Sequence, residues 1–225
     1  MILGAAVQPA ATFAGPPDTP AIAKPSPLIG AMQTELERSF KVLGGQDPRA
    51  YFIGYTITDT QRAEVSGSNG ALLSSSEGRN RWLQVSVRTG TYTLDNTHKV
   101  GEQRMASGGP GTAIPVDNDE QVVRRAIWLE TDGQYRNAAE ALIKIRSSKE
   151  VKADTAEGRA PDFSHEQPHK SIEPEVSFTL DRRPWEEKVR AYTKTFRESQ
   201  DILNSIVTFS ALAQNAYLVN TEGTQ

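Results

Sequence analysis

The chain has no cysteine among its 225 residues, which excludes disulfides and thiolate metal ligands outright. It has only three histidines, so a histidine-built metal site has few ligands to draw on. No run of about 18 apolar residues occurs, and no membrane-spanning helix is expected. A surplus of either charge is missing as well. The 25 Lys and Arg residues against 28 Asp and Glu leave a net charge of -3, and no segment gathers a basic stripe. Nucleic acid is therefore not expected as a partner. Hydrophobic residues make up a modest 37%, yet they cluster into runs that suffice for a core. The length admits one large domain or two small ones.

What is present is alternation. In Trp82–Asn96, Leu83, Val85 and Val87 fall on one side of an extended chain, with Gln84, Ser86 and Arg88 on the other. This is the pattern of a strand with one buried face. Gly90 interrupts it and Tyr92 and Leu94 resume it, which predicts a β-hairpin reversing at Thr89-Gly90. Tyr51, Ile53, Tyr55 and Ile57 predict an earlier strand, Arg62–Ser68 a second and Gly70–Ser76 a weaker third. The cluster Gly67-Ser68-Asn69-Gly70 supplies a turn between the last two. Ser177–Leu180 reads as a short strand, Ile202–Leu212 as another, and Tyr217–Val219 as the start of one more that has no partner after it.

Helical spacing appears in three places. Ile29, Met32, Leu36, Phe40 and Leu43 recur at three- and four-residue steps, which predicts a helix from Pro27 to about Leu43, ended by Gly44-Gly45. Asp117 followed by Glu120 has the form of a capping box. It opens a helical stretch, about 117–149, that faces Val123, Ile127 and Trp128 inward, breaks at Gly133 and resumes with Tyr135, Ala138, Leu142 and Ile145. Asp181 caps a third helix with Pro184 in its first turn, carrying the stripe Trp185, Val189, Tyr192 and Phe196. The residues between, about 150–174, form a long wrapping loop, and Gly101–Pro115 another loop. Residues 1–27 read as a disordered lead-in stiffened by prolines, or as the remnant of a signal peptide over Met1–Ala14. The compartment is accordingly cytoplasmic or exported.

The motifs that could carry chemistry do not assemble. His165-Glu166-Gln167-Pro168-His169 matches H-E-x-x-H, but that motif chelates zinc only on a helix, where both histidines share a face. Pro168 lacks the donor and disfavours helical geometry at Gln167. Glu35 with Glu37, Asp117 with Asp119 and Glu186 with Glu187 are carboxylate pairs expected on solvated helix faces or caps. Ser74–Ser76 lacks a nucleophile elbow. Lys144, Arg146, Lys149 and Lys152 are diluted by Glu150 and Asp154 and read as a solvated helix end. No catalytic, cofactor-binding or metal-ligating residue is assigned.

A family resemblance supplies what the residues do not. M-Q-T-E-L-E-R-S, Y-F-I-G-Y-T-I-T-D, G-A-L-L-S-S-S, R-W-L-Q-V-S-V-R-T-G-T-Y-T-L-D-N, A-P-D-F-S with E-x-P, and V-N-T-E-G-T occur in that order from Met32 to Thr224. Together they resemble the N-terminal region of the TldD/PmbA family, also called modulator of DNA gyrase, in a divergent branch with a helical insert. The resemblance implies an α+β fold over residues 28–225, an antiparallel-rich sheet covered by helices. It also implies a relation to zinc-dependent peptidases that act on small or unfolded peptides as homo- or heterodimers around a cavity. The family's zinc motif, H-E-x-x-x-H, lies downstream of the matched region and does not occur here. The expectation is a non-catalytic, truncated N-terminal domain that shapes a peptide cavity and a dimer contact, with zinc belonging to an active full-length relative. A standalone protein-interaction module is the alternative.

Overall fold

The computed structural model describes residues 26–100, 103–104, 111–148, 161–198 and 201–225. Helix α1 spans Pro27–Leu43, strands β1 Ala50–Ser68 and β2 Ala71–Thr89, and the short strands β3 Lys99–Val100, β4 Gln103–Arg104 and β5 Thr112–Ala113. Helix α2 spans Glu120–Ser147, α3 Arg183–Thr195 with a 3-10 turn after it, and β6 Val207–Asn220. The main sheet runs β5-β2-β1-β6, and all its pairings are antiparallel. The lead-in expected over 1–27 lies outside the described residues except for its last two. Residues 150–160 of the expected wrapping loop do too.

One long hairpin organises the fold. β1 and β2 are 19 residues each and reverse between Ser68 and Ala71. Asn69 and Gly70 both take positive φ, 49° and 81°, as a two-residue turn matched to strand twist requires. β6 pairs along the other side of β1 from Gly67↔Val207 to Gly54↔Asn220.

The sheet has one covered face. Odd-numbered residues of β1 point to it, with their partners opposite: Ile53, Tyr55 and Ile57, then Leu83, Val85 and Val87, then Tyr217 and Val219. α1 and α2 pack over this half and bring Leu28, Met32, Val123 and Ile127 to it. Each such side chain contributes roughly 1.5–3 kcal/mol by leaving water. Thr131 of α2 donates to the Tyr55 hydroxyl at 3.1 Å. The Asp119 carboxylate accepts from the Gln121 and Val122 amides, which satisfies two orphan donors at the start of α2. α3 covers the far half of the same face. Val189 seats on Gly67, where an added Cβ would meet its Cγ1 at 2.6 Å, and Trp185 stacks on Phe209 at 3.7 Å. The opposite face stays open along most of its length, with Phe163 against Phe52 at one end.

The α+β class and the helix Pro27–Leu43 match the sequence reading, whereas the strand boundaries do not. The hairpin does not reverse at Thr89-Gly90. Residues 90–96 curl into a loop closed by an isolated bridge between Gly90 and Asp95 and by Asn96, whose side chain accepts from the Thr89 amide. Tyr92 and Leu94 alternate, but they lie in this loop. The three strands read between Tyr51 and Ser76 are two, because the polar residues Asp59–Arg62 continue the strand instead of ending it. Ser177–Leu180 is not a strand. Of the strand read over Ile202–Leu212 only Val207–Leu212 is extended in the sheet; it and Tyr217–Val219 are parts of one strand, β6, and its partner is β1 upstream. α2 starts at Glu120 and runs through Gly133 without a break, and Trp128 faces solvent. Phe40 and Tyr192 are also exposed despite their helical spacing. Glu35 is not solvated: it is buried and takes ion pairs from Arg38 and Arg124.

Candidate functional site

A polar belt crosses the covered face between its two helical halves. Asp59 lies opposite Arg81 on β2 and Asn215 on β6. Its carboxylate accepts from Arg79 at 2.8 and 2.7 Å and from Arg81 at 2.9 and 2.6 Å. The Arg81 side chain is 0% exposed. Its remaining donors reach the Pro115 and Asp117 carbonyls, both at 3.1 Å, and the Asn118 side chain at 2.8 Å. One guanidinium thus ties the sheet to the approach of α2. Burial alone would raise the Asp59 pKa, but the hydrogen bonds and charge of the two arginines outweigh it and hold the carboxyl below its usual range.

An extended strap, residues 161–182, runs from the open face around the β6 side and into this belt. At its start the Phe163 amide donates to the Tyr92 carbonyl, its ring lies under the Arg88 guanidinium at 3.9 Å, and Asp162 pairs with His98 at 2.7 Å. Further along, strap and C-terminus bond as extended chains do: Ser171 donates to the Gln225 carbonyl and Gln225 to the His169 carbonyl. Two side-chain amides then hold the strap's backbone. Asn215 accepts from the Val176 N–H and donates to the Val176 carbonyl, both at 2.8 Å. Gln61 does the same for Phe178, at 3.2 and 2.7 Å. A primary amide that engages both polar groups of one residue reads backbone and ignores side chain. The Tyr217 hydroxyl donates to Glu175 at 2.8 Å; burial first, then this carboxylate, push its pKa up to about 12.

Between the strap and β6 lies a cavity of about 380 Å³, lined on one side by Ser171–Val176 and on the other by Gln214–Leu218. The β6 side of this slot is a strand edge. Thr221 N–H donates to the Ile53 carbonyl. Backbone groups alternate in direction along an antiparallel pair, so odd-numbered residues of β6 bond to β1. Even-numbered residues aim their N–H and C=O groups at the free edge. In the slot these are Gln214, Ala216 and Leu218. The strand from Val207 to Asn220 contains no charged residue, no proline and no glycine. Edges are commonly blunted by such residues, and this one is not.

The motif H-E-x-x-H lies within the strap, outside any helix. His165 stacks on Tyr92 with 3.7 Å between ring centroids and sits 3.6 Å from Glu222, while His169 meets the C-terminus through its backbone. The third histidine, His98, is occupied by Asp162. Among the described residues no three metal-ligating side chains converge. The carboxylate pairs part company as well: Glu35 is buried, Asp119 caps α2, and Glu186 accepts from Ser75 on the sheet at 2.5 Å. Sequence reasoning missed Asn215, Gln61 and Arg81. Arg81 carried a faint signal, as a charge on the buried-side parity of a strand. The two amides carried none.

No protein-family model matches this chain, and no curated protein does. Among solved structures it is similar to TldE from Thermococcus kodakarensis, at 10% identity and a TM-score of 0.43 over 86% of this chain. It is also similar to TM0727 from Thermotoga maritima, described as a proposed modulator of a DNA gyrase, at 8% identity and a TM-score of 0.43 over 85%. The chain spans 35% and 36% of the lengths of these two.

Proposed function

We propose that this chain is a non-catalytic domain that holds an extended polypeptide in the slot between β6 and the strap. The observation that carries this reading is the slot itself. The free N–H and C=O groups of Gln214, Ala216 and Leu218 face a cavity whose opposite wall is already an extended chain. A peptide strand entering it would gain main-chain hydrogen bonds from the β6 edge, which is recognition by strand addition. The side chains of the slot are uncharged on the β6 side, while Glu173 and Glu175 stand on the strap side, so unfolded sequences that are neutral or weakly basic fit best.

This reading agrees with the resemblance of the sequence segments to the N-terminal region of the TldD/PmbA peptidases, as a part that shapes the peptide cavity and contributes to a dimer. Zinc is what an active member of that family would carry. The residues here do not fit it, because His165 and His169 lie on extended chain, where four residues span roughly 13 Å, too far for both to bind one ion. Any hydrolysis would come from residues outside this chain. The resemblance and the geometry concern different residues, which makes them independent supports.

Fluorescence anisotropy with a labelled peptide of alternating threonine and valine tests the reading. The protein is expected to bind it, and Ala216→Pro to abolish binding, since that substitution removes one outward N–H and leaves the β1 ladder intact. Equal binding by the variant would overturn the slot. Zinc-dependent cleavage of the same peptide, abolished by His165→Ala with His169→Ala, would overturn the non-catalytic assignment.

A further inference from the structure

The outer surface of the two packed helices carries a cluster that the peptide slot does not use. Gln121, Arg124, Arg125 and Trp128 of α2 recur at three- and four-residue steps, so they form one stripe along the helix. Val123 and Ile127, interleaved with them in the chain, are buried in the core. Glu35 and Arg38 of α1 stand across from the stripe, and these six residues line a shallow cavity of about 390 Å³. It shares no lining residue with the slot.

The cluster is built around one carboxylate. Glu35 is 2% exposed, and it takes ion pairs from Arg38 of its own helix and from Arg124 of α2, the latter at 3.4 Å. A buried carboxylate that holds two guanidiniums turns flexible side chains into positioned donors. Among the described residues, Arg38 keeps Nη1 and Arg124 keeps Nη2 without a partner. Arg125 is exposed and has no hydrogen bond or ion pair there. Three arginines against one glutamate make the cavity positive, in a chain whose net charge is -3. Glu120 lies 3.5 Å from Arg124 Nη1, but it is 61% exposed, and solvent screens such a pair. At the other end of the stripe the Trp128 indole is 47% exposed.

We propose that this cavity binds a nucleoside phosphate, with its phosphates on the three guanidiniums and its base on the face of Trp128. A guanidinium is planar and meets phosphate oxygens through paired N–H groups. An exposed indole offers a flat face on which any base stacks. From Gln121 to Trp128 the helix rises roughly 10 Å, a span that suits a nucleoside diphosphate laid along it. Inorganic phosphate uses the arginines and leaves the indole idle. An acidic peptide offers carboxylates but no planar ring for it. The nucleotide alone engages both ends of the stripe. The proposal does not rest on the peptide slot.

Isothermal titration calorimetry of the full chain with adenosine diphosphate tests it. Binding is expected, weakened about tenfold by Arg125→Ala and about tenfold by Trp128→Ala. Both side chains lie at the surface, so both variants are expected to fold, which far-UV circular dichroism checks. Arg125→Gln keeps the test open if either alanine variant misfolds. Adenosine, which lacks phosphate, and pyrophosphate, which lacks a ring, should each bind about tenfold more weakly than the diphosphate or worse. No heat at millimolar nucleotide, or an affinity unchanged in the folded variants, would overturn the proposal. Pyrophosphate that matches the nucleotide would remove the base from the site and overturn it as well. A polyglutamate peptide that binds more tightly than the nucleotide would give the site to an acidic polypeptide instead. Neither substitution touches β6 or the strap, so both variants should bind the threonine–valine peptide as the wild-type chain does. Failure here is thereby distinguished from failure of the slot.

Discussion

The long hairpin is held by different means at its open end and at its middle. Near its open end, Ile53, Tyr55, Ile57, Leu83, Val85 and Val87 lie under α1 and α2 and are shielded by apolar contacts alone, apart from the Tyr55 hydroxyl. At the middle, the same face of the same strands carries Asp59, Gln61, Arg81, Arg79 and Glu77, bonded to one another, to the approach of α2 and to the strap, before Ala63 and Val65 make it apolar again under α3. Apolar packing is tolerant, since neighbouring side chains partly relax around a loss. A buried ion pair is not, because each charge depends on the other for its solvation. The hairpin is therefore held by many small contributions at one end and by a few indispensable ones at the middle.

Deletions test that contrast. The largest effect is expected from Asp59→Ala, which leaves the fully buried Arg81 guanidinium without its counter-charge. A cost of about 3–5 kcal/mol should appear in urea unfolding. Replacing both partners, Asp59→Leu with Arg81→Met, should recover most of it, because a buried pair exchanged for apolar residues costs little. Leu83→Ala at the apolar end is expected to cost about 3 kcal/mol. If Leu83→Ala proved the more damaging of the two single variants, the contrast between end and middle would be wrong.

Acid sharpens it next. Asp59 and Asp95 both have folded-state pKa values below the unfolded one, Asp95 because hydrogen bonds from Tyr51, Thr97 and Arg88 outweigh its burial. The stability that such groups supply is complete above about pH 4 and is lost as pH falls through their folded-state values. Urea midpoints measured from pH 6 downward should fall below about pH 4, and the fall should be shallower in Asp59→Asn. An identical slope in that variant would remove Asp59 from the account. The smallest effect belongs to the strap. Asn215→Ala frees the N–H and C=O of Val176 at a cost of about 1 kcal/mol. It should speed hydrogen exchange at Val176 and leave Leu83 and Val85 protected.

The apolar end of the hairpin was legible in the sequence and its polar middle was not. Ile53-x-Tyr55-x-Ile57 and Leu83-x-Val85-x-Val87 announce strands because each buried residue is apolar. The alternation persists through Asp59, Gln61 and Arg81, but it is an alternation of burial and no longer of hydrophobicity. Two long strands were accordingly read as several short ones. The misplaced hairpin has the same kind of cause. Thr89-Gly90 and Asn69-Gly70 are both turn signals, and only the presence of a 19-residue partner strand makes the second one the reversal. Helical spacing likewise located α1, α2 and α3, yet it could not tell that Phe40, Trp128 and Tyr192 face water. Sheet contact occupies only part of each helix's apolar stripe.

By itself, the sequence determined the helices, the class of the fold and the absence of a helical H-E-x-x-H, because each follows from residues close together in the chain. Propensity, capping and the geometry of proline act over a few residues. The tertiary structure alone decided which polar residues would be buried, which strand edge would be left free, and that two side-chain amides would hold a strap. Those outcomes depend on pairings such as Asp59 with Arg81, Gln61 with Phe178 and Asn215 with Val176, between residues 22 to 117 positions apart. A polar side chain carries no mark of the partner it will find across such a distance. Only the register of the strands supplies it.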